Sequence, residues 1–482
     1  EIKSAELLLE ERIPTNVVFT KKKKEKITVL KYKNYEEHVE ENITKPCGNV
    51  NIQTNNSYTL LVNDYGEGYA TYDDLQLTKY QETTKQGVCV FIKDVETGQV
   101  VSNTAYPLYN ANDEFEVKFS PSSSKFYRRT KKFEVKTKIA VSPEENLELR
   151  EISIKNLSEK ELVLDLMSYL EPVLAHRNSD IVHPAYHNLF FRSLRYENAI
   201  ILEKRLHDET LYYLHFMVCD EGMPEFELDK AKIVGRLNTL QNATIVNQDV
   251  AYTNENLTST NTIISFQKNL RIGVGEKKIV YLYYGVSQNQ EELKEMYHKY
   301  QVIDSANRLF ELAFSKSLVE NRFLGYKGKD ILLYHKLFSS LYHNTPRNQY
   351  REKISQNKLQ QKDLWRFGIS GDFPIILVRI HRVNDIYVIK DLISAMEYYH
   401  RKNVFVDLVI LNEEENKYEQ YVQDKIYEVI SSKGLQYLLH TNGGVFIIKK
   451  QDIRTEEECL LLSCSDMILN ARDGFLKEQL YE

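Results

Sequence analysis

The sequence predicts a multidomain, mainly β chain: a large antiparallel β-sandwich, then a helical linker, then a small α/β module with a mostly parallel sheet. Three observations predict it. Apolar residues recur with period two from Ser57 to about Val286, recur at helical spacing from Glu291 to Tyr342, and after Leu364 fall into alternating strand-like and helix-like segments. At 482 residues, roughly two or three domains is the expectation.

Four segments follow in order. Residues 1–14 carry Ala5, Leu8 and Leu9 among charges before Pro14, the pattern of a terminal helix belonging to an upstream domain. With no initiating methionine, the chain reads as a piece of something longer. Residues 15–288 are the sandwich. Phe115, Val117 and Phe119 alternate with Glu116 and Lys118, and Phe133, Val135 and Ile139 with Glu134, Lys136 and Lys138, because successive strand side chains point to opposite faces. Further runs cover Val88 to Ile92, Leu162 to Leu170, Leu189 to Leu194, Leu211 to Val218 and Lys277 to Val286, divided by turns such as Glu96-Thr97-Gly98 and Asn156-Leu157-Ser158. Residues 289–363 comprise two or three helices, with Leu333, Leu337 and Leu341 on one face, and a polar loop from Arg347 to Asp363.

Residues 364–482 form the α/β module. Ile375 to Ile380, apolar except at Arg379, reads as a strand buried on both faces. Asn384 reads as an N-cap before the stripe Ile386, Ile389, Ile393 and Met396. Val404 to Leu411, Lys417 to Ser431 and Val445 to Ile448 continue the alternation. Thr455 with Glu458 reads as a capping box, and Met467 to Leu469 as a last short strand.

Composition excludes several classes. A net charge of −6 does not suit a general nucleic-acid or membrane-surface binder, and Lys21 to Lys24 reads as a solvated loop. Cys47, Cys89, Cys219, Cys459 and Cys464 lack CxxC spacing, so neither a disulfide framework nor a metal site is expected, and a reducing, cytoplasmic compartment fits. No apolar run approaches the roughly 20 residues that span a bilayer. No cofactor is expected.

Three clusters could carry chemistry. The Gly368-Ile369-Ser370-Gly371-Asp372 turn fails as a nucleophile elbow on glycine spacing and as a phosphate loop on length, order and lack of lysine. A tight turn is the favoured reading. A module pocket would draw on Trp365, Ser370, Asp372 and Arg379. The stretch Asn63 to Asp74 combines Asp64, Glu67, Tyr69, Tyr72, Asp73 and Asp74, aromatic faces and carboxylates suited to a sugar, although a hairpin turn accounts for the same residues. His183 and Tyr186 lie in His183-Pro184-Ala185-Tyr186-His187, where Pro184 argues against a helix holding both histidines on one face. The acidic groups Asp73-Asp74 and Glu413-Glu414-Glu415 read as solvated turns.

The segments AELLLEERIP, VNDYGEGYATYDDLQLTKY, FIKDVETGQVVSNTAYP, HPAYHNLF, LWRFGISGDFPIILVRI, VDLVILNEEENKY and ARDGFLKEQL resemble, in order, the region after the glycoamylase-like domain of bacterial cyclic β-1,2-glucan synthases. The related 1,2-β-oligoglucan phosphorylases of glycoside hydrolase family 94, formerly glycosyltransferase family 36, are similar here too. The resemblance implies a supersandwich, a β-1,2-glucan or related glucooligosaccharide as partner, and neighbouring domains of a parent attached to the inner membrane. It also implies that phosphorolysis with inorganic phosphate belongs to an (α/α)6 barrel beyond Glu482. No catalytic residue is carried over to this span. The expected role is therefore a non-catalytic, carbohydrate-binding or domain-positioning region. The alternatives are a free-standing enzyme with a site near Asp372, Asp407 and Asn412, at the strand ends where open α/β sheets place theirs, and a purely structural spacer.

Overall fold

The computed structural model describes residues 41–43, 48–80, 87–183, 186, 189–206, 209–220, 222–256, 261–342, 350–415 and 420–481. The expected helix at 1–14 and Lys21 to Lys24 lie outside the described residues, as do Cys47 and His187.

The strands of the first part are β1 (Glu41–Ile43), β2 (Val50–Thr54), β3 (Tyr58–Asn63), β4 (Gly68–Tyr72), β5 (Leu75–Thr78), β6 (Cys89–Asp94), β7 (Val100–Ser102), β8 (Glu114–Ser120), β9 (Ser123–Arg129) and β10 (Phe133–Val141). They continue as β11 (Leu147–Asn156), β12 (Leu162–Tyr169), β13 (Pro172–His176), β14 (Phe191–Tyr196), β15 (Ala199–Leu206), β16 (Glu209–Cys219), β17 (Glu225–Asp229), β18 (Thr262–Ile272) and β19 (Lys277–Ser287). They build a nine-stranded sheet in the order β1-β8-β9-β10-β11-β19-β16-β15-β14 and two five-stranded sheets, β17-β18-β12-β6-β7 and β13-β5-β4-β3-β2. Their pairings are antiparallel, for example Val135 opposite Ile154 and Leu166 opposite Ile92.

The period-two pattern acts as expected: Phe133, Val135 and Ile139 enter the core while Lys136 stays exposed. β19 departs from simple alternation because both of its faces are covered. Val280, Leu282 and Tyr284 face the sandwich core, whereas Tyr281 and Tyr283 pack under helices. Those helices are α2 (Gln290–Lys299) and α3 (Ile303–Leu324); the short α1 (Arg177–Val182) follows β13, and α4 (Gly328–Tyr342) follows α3. Asn289 caps α2 by accepting the Glu291 amide, and Gly325, at φ +69°, ends α3 in the left-handed conformation.

The module alternates β20 (Ile375–Ile380), α5 (Ile386–Arg401), β21 (Asp407–Asn412), α6 (Tyr421–Ser432), β22 (Val445–Lys449), α7 (Thr455–Cys464), β23 (Met467–Asn470) and α8 (Leu476–Tyr481). Its four strands are parallel, in the order β22-β21-β20-β23. Ile376, Val378 and Ile380 face α4, α5 and α6, while Ile375 and Leu377 face Leu460 and Leu461 of α7. Double coverage is the reason β20 is apolar from Ile375 to Val378, with Arg379 the one charge before Ile380.

Local boundaries differ in three places. Asn384 lies inside a 3-10 turn, Val383–Asp385, and α5 starts at Ile386 without a side-chain cap. Thr455 is the first residue of α7, and the reciprocal bond is made instead by Glu457, which accepts the Arg454 amide at 2.8 Å. Part of the expected polar loop is helical, with Arg351–Ser355 as a short helix and Gln361–Phe367 as a 3-10 turn that carries Trp365.

Sandwich and module share one buried apolar cluster. Val50 and Ile52 of β2 and Leu61 of β3 pack with Leu337 and Phe338 of α4 and Tyr399 of α5. α4 thus fills the space between the two sheets.

Candidate functional site

The tyrosine-rich loop divides its side chains between the interior and the rim. Asp64 is fully buried. Its carboxylate accepts the amides of Gly48 at 2.8 Å and Asn49 at 3.0 Å, and the Asn49 side-chain amide at 3.3 Å. Glu67 is also buried and accepts the Asn63 side-chain amide at 2.8 Å. Both expectations of sugar contact are corrected: these carboxylates satisfy backbone and amide donors that burial removed from water. Gly66, at φ +93°, leaves no room for a Cβ, which would stand 2.2 Å from Thr104 Oγ1. The tight turn therefore requires glycine.

Tyr69 is half-buried against the shared cluster, 5.2 Å from the Tyr80 ring. Tyr72 is half-buried against the sandwich core, and its hydroxyl pKa is raised by burial and by Asp73, Glu292 and Glu209. Asp73 and Asp74 are exposed in the β4–β5 turn, and His176 Nδ1 reaches Asp74 Oδ2 at 3.2 Å. Tyr72, Asp73, Asp74 and His176 thus form an open aromatic and acidic rim at one edge of the small sheet. His183 is exposed just after α1, and Tyr186, 58% exposed, packs edge-on to Phe190 at 4.9 Å. Among the described residues no group of three or more His, Cys, Asp or Glu is placed to hold a metal ion.

In the module the four expected pocket residues do not meet. Ser370 and Asp372 precede β20 and lie toward the amino ends of the strands, where Ser370 Oγ accepts the Asp372 amide at 3.2 Å, while Trp365, 68% exposed, belongs to the 3-10 turn whose Arg366 pairs with Glu457 of α7. Arg379 sits at the carboxyl end of β20, bonded to Glu413 at 2.5 Å, near Glu458 at 3.4 Å, and over the Tyr350 ring. The length of β20 separates Ser370 and Asp372 from Arg379, so a single pocket of all four is ruled out. The same argument splits Asp407, at the start of β21, from Asn412 at its end. Asp407 is fully buried and accepts the Gly443 amide at 2.8 Å; burial, with Asp372 nearby, raises its pKa to about 6.

A buried polar network escaped the sequence reading. Inside the sandwich, Glu148 accepts from Tyr58 at 3.0 Å and from Arg150 at 2.5 Å, and Arg150 also donates to the Val88 carbonyl. Beside it, His215 stacks on Tyr284 with ring centroids 4.2 Å apart. These residues come from β3, β11, β16 and β19, so no local motif joins them; the one signal was charge at inward positions of alternating strands.

Among the described residues no helix is long and apolar enough to cross a membrane. Residues 33–303 match the family model described as the glycosyl hydrolase 94 supersandwich domain. Over 99% of its length the chain is 23% identical to the cyclic beta-(1,2)-glucan synthase NdvB of Rhizobium meliloti strain 1021, and it spans 18% of that protein. Among solved structures, a bacterial glucoamylase complexed with acarbose is similar over 63% of this chain and 43% of its own, at 11% identity and a TM-score of 0.39. A galactose mutarotase related enzyme from Lactobacillus acidophilus is similar over 50% of this chain and 98% of its own, at 11% identity and a TM-score of 0.28.

Proposed function

The chain belongs to the glycosyl hydrolase 94 supersandwich family, and from that premise we propose that it is a non-catalytic region of a β-1,2-glucan-processing enzyme. In this reading residues 15–288 are a sandwich of carbohydrate-binding type, 289–363 a helical connection and 364–482 a module that positions neighbouring domains. Glucan touches the rim at Tyr72, Asp73 and Asp74, with the apolar face of a sugar ring against the tyrosine. Acid–base chemistry and any use of inorganic phosphate fall to other parts of a cytoplasmic, inner-membrane-attached parent.

The observation that carries this reading is how the loop distributes its groups. Asp64 and Glu67 are sealed by internal hydrogen bonds, while the aromatic and acidic groups at the rim are open on a surface fitted to bind rather than to react. The shared cluster that joins sandwich to module supports the positioning role. A site in the module combining Trp365, Asp372 and Arg379 is disfavoured because Asp372 and Arg379 lie at opposite ends of β20.

Calorimetric titration with β-1,2-glucooligosaccharides, with β-1,3- and β-1,4-linked oligomers as controls, tests the proposal. The expected result is saturable heat specific to the β-1,2 series and weakened by Tyr72→Ala. Absence of heat with every glucan, from a chain whose folding is verified by circular dichroism, overturns glucan contact and leaves a spacer.

A further inference from the structure

A cleft of about 620 Å³ lies where the β6–β7 hairpin, the loop before β8 and the β9–β10 turn come together. Gln99 lines it from the hairpin, Asn110, Asn112 and Asp113 from the loop, and Lys131 from the turn. None of them belongs to the rim described above. The volume falls within the range for small-ligand sites.

One wall is a carboxylate held in place from behind. The Asp113 side chain is 9% exposed, and its Oδ2 accepts from Arg128 Nε at 2.9 Å and Nη2 at 2.6 Å. Arg128 is itself 1% exposed and spends Nη1 on the carbonyls of Ser102 at 2.8 Å and Thr104 at 3.0 Å. All three guanidinium nitrogens are therefore committed, which fixes the orientation of the carboxylate. The other oxygen, Oδ1, makes no hydrogen bond among the described residues and keeps solvent access. A preset acceptor is thus open where Asp113 lines the cleft.

The other groups select the ligand. Asp94, also in the wall, pairs with Lys132 through Oδ2 and accepts the amides of Glu96 at 3.0 Å and Thr97 at 3.3 Å through Oδ1. An anionic ligand would meet the open Asp113 oxygen as a like charge. A cation would meet Lys131 and the guanidinium behind that oxygen. Hydroxyl groups meet neither penalty: they donate to Oδ1, and they both donate to and accept from side-chain amides. Asn110 spends Oδ1 on the Asn112 backbone amide at 3.1 Å and keeps Nδ2 to donate. Gln99 and Asn112 are exposed at the cleft edge, and Val101 and Phe133 give it an apolar floor.

We infer that this cleft binds a neutral saccharide, with one hydroxyl donating to Asp113 Oδ1 and another accepting from Asn110 Nδ2. The inference rests on the reading that the chain contacts glucan, and it places a second contact on the sandwich, apart from the rim.

The test uses calorimetry and hydrogen exchange read by mass spectrometry on the full chain with β-1,2-glucooligosaccharides. The expected result is saturable heat, with exchange slowed together in residues 94–101, 108–114 and 129–133. Gln99→Ala combined with Asn112→Ala should weaken binding roughly three- to tenfold. Both positions are exposed, so loss of folding does not confound them. In Asp113→Asn the amide oxygen stays on Arg128 and a donor replaces the acceptor at the cleft, so the slowed exchange should vanish at temperatures where circular dichroism shows the variant folded. An ion pair that only fastened the loop would lose stability there and leave glucan affinity as it was. Heat unchanged by all three substitutions, with exchange slowed only around Tyr72, overturns the cleft and leaves glucan contact at the rim intact. No heat with any glucan overturns the cleft and glucan contact together.

Discussion

Ser339 Oγ on α4 accepts the backbone amide of Val50 at 2.8 Å. Val50 opens β2, the edge strand of the small sheet, and an edge strand presents unpaired amides. The same serine donates to the His335 carbonyl one turn back, which holds its hydroxyl in place. A helix outside the sandwich thus completes the hydrogen bonding of a sandwich strand, and the apolar residues beside the bond, Ile52 and Leu337, are both fully buried.

Ser339→Ala should therefore destabilise the chain by about 1–3 kcal/mol, the cost of leaving a buried amide without a partner. Chemical denaturation monitored by circular dichroism checks it. A change within measurement error would mean that the edge of β2 does not depend on α4.

Asp64→Ala should cost about 3 kcal/mol, because several amide donors lose one acceptor inside the protein. Its effect should fall on stability, with glucan affinity unchanged at temperatures where the variant is folded. Urea unfolding and calorimetry read the two quantities separately.

Gly66→Ala joins two penalties, a left-handed φ of +93° and a Cβ 2.2 Å from Thr104 Oγ1. A loss of more than about 2 kcal/mol is expected. Thr104→Gly in the same chain should restore only part of it, since shortening the neighbour relieves the clash and leaves the backbone strain. Full restoration would show that the backbone conformation costs nothing.

Stability should depend on pH through three buried groups. His215 and His335 are held neutral, with pKa values lowered to about 3 by burial. Each takes up a proton on unfolding below about pH 6.5, so stability falls as pH drops, by about 1.4 kcal/mol per pH unit for each histidine. Asp407, raised from 3.8 to about 6, acts in the opposite sense: the folded state holds its proton more tightly, and stability falls as pH rises from 4 to 6. Asp407→Asn should hence stabilise the chain above pH 6 by about 3 kcal/mol, lose that advantage near pH 4, and steepen the acid limb. Thermal melts from pH 4 to 8 test the sign. An Asp407→Asn variant less stable at pH 7.5 than the parent chain would overturn it.

The architecture was legible where one periodic signal decides one element. Strict alternation in Phe133 to Ile139 marked a strand with one solvated face, and the run from Ile375 to Ile380, apolar except at Arg379, marked one covered on both. Starts of helices were less legible. Asn384 and Thr455 have the chemistry of caps, but the chain enters α5 through a 3-10 turn and α7 through the Arg454–Glu457 bond.

What the sequence by itself determined was the order of architectures and the family, because side-chain period and local motifs are properties of consecutive residues. Which groups of the tyrosine loop remain open was decided by tertiary structure. Asp64 and Asp74 look alike in sequence, and only the placement of Gly48 and Asn49 beside the first and of solvent beside the second separates an internal clamp from a rim. The separation of Asp372 from Arg379 and the meeting of Gln99, Asn110 and Lys131 have the same cause. A strand carries sequence neighbours apart along its length, while packing brings distant turns together.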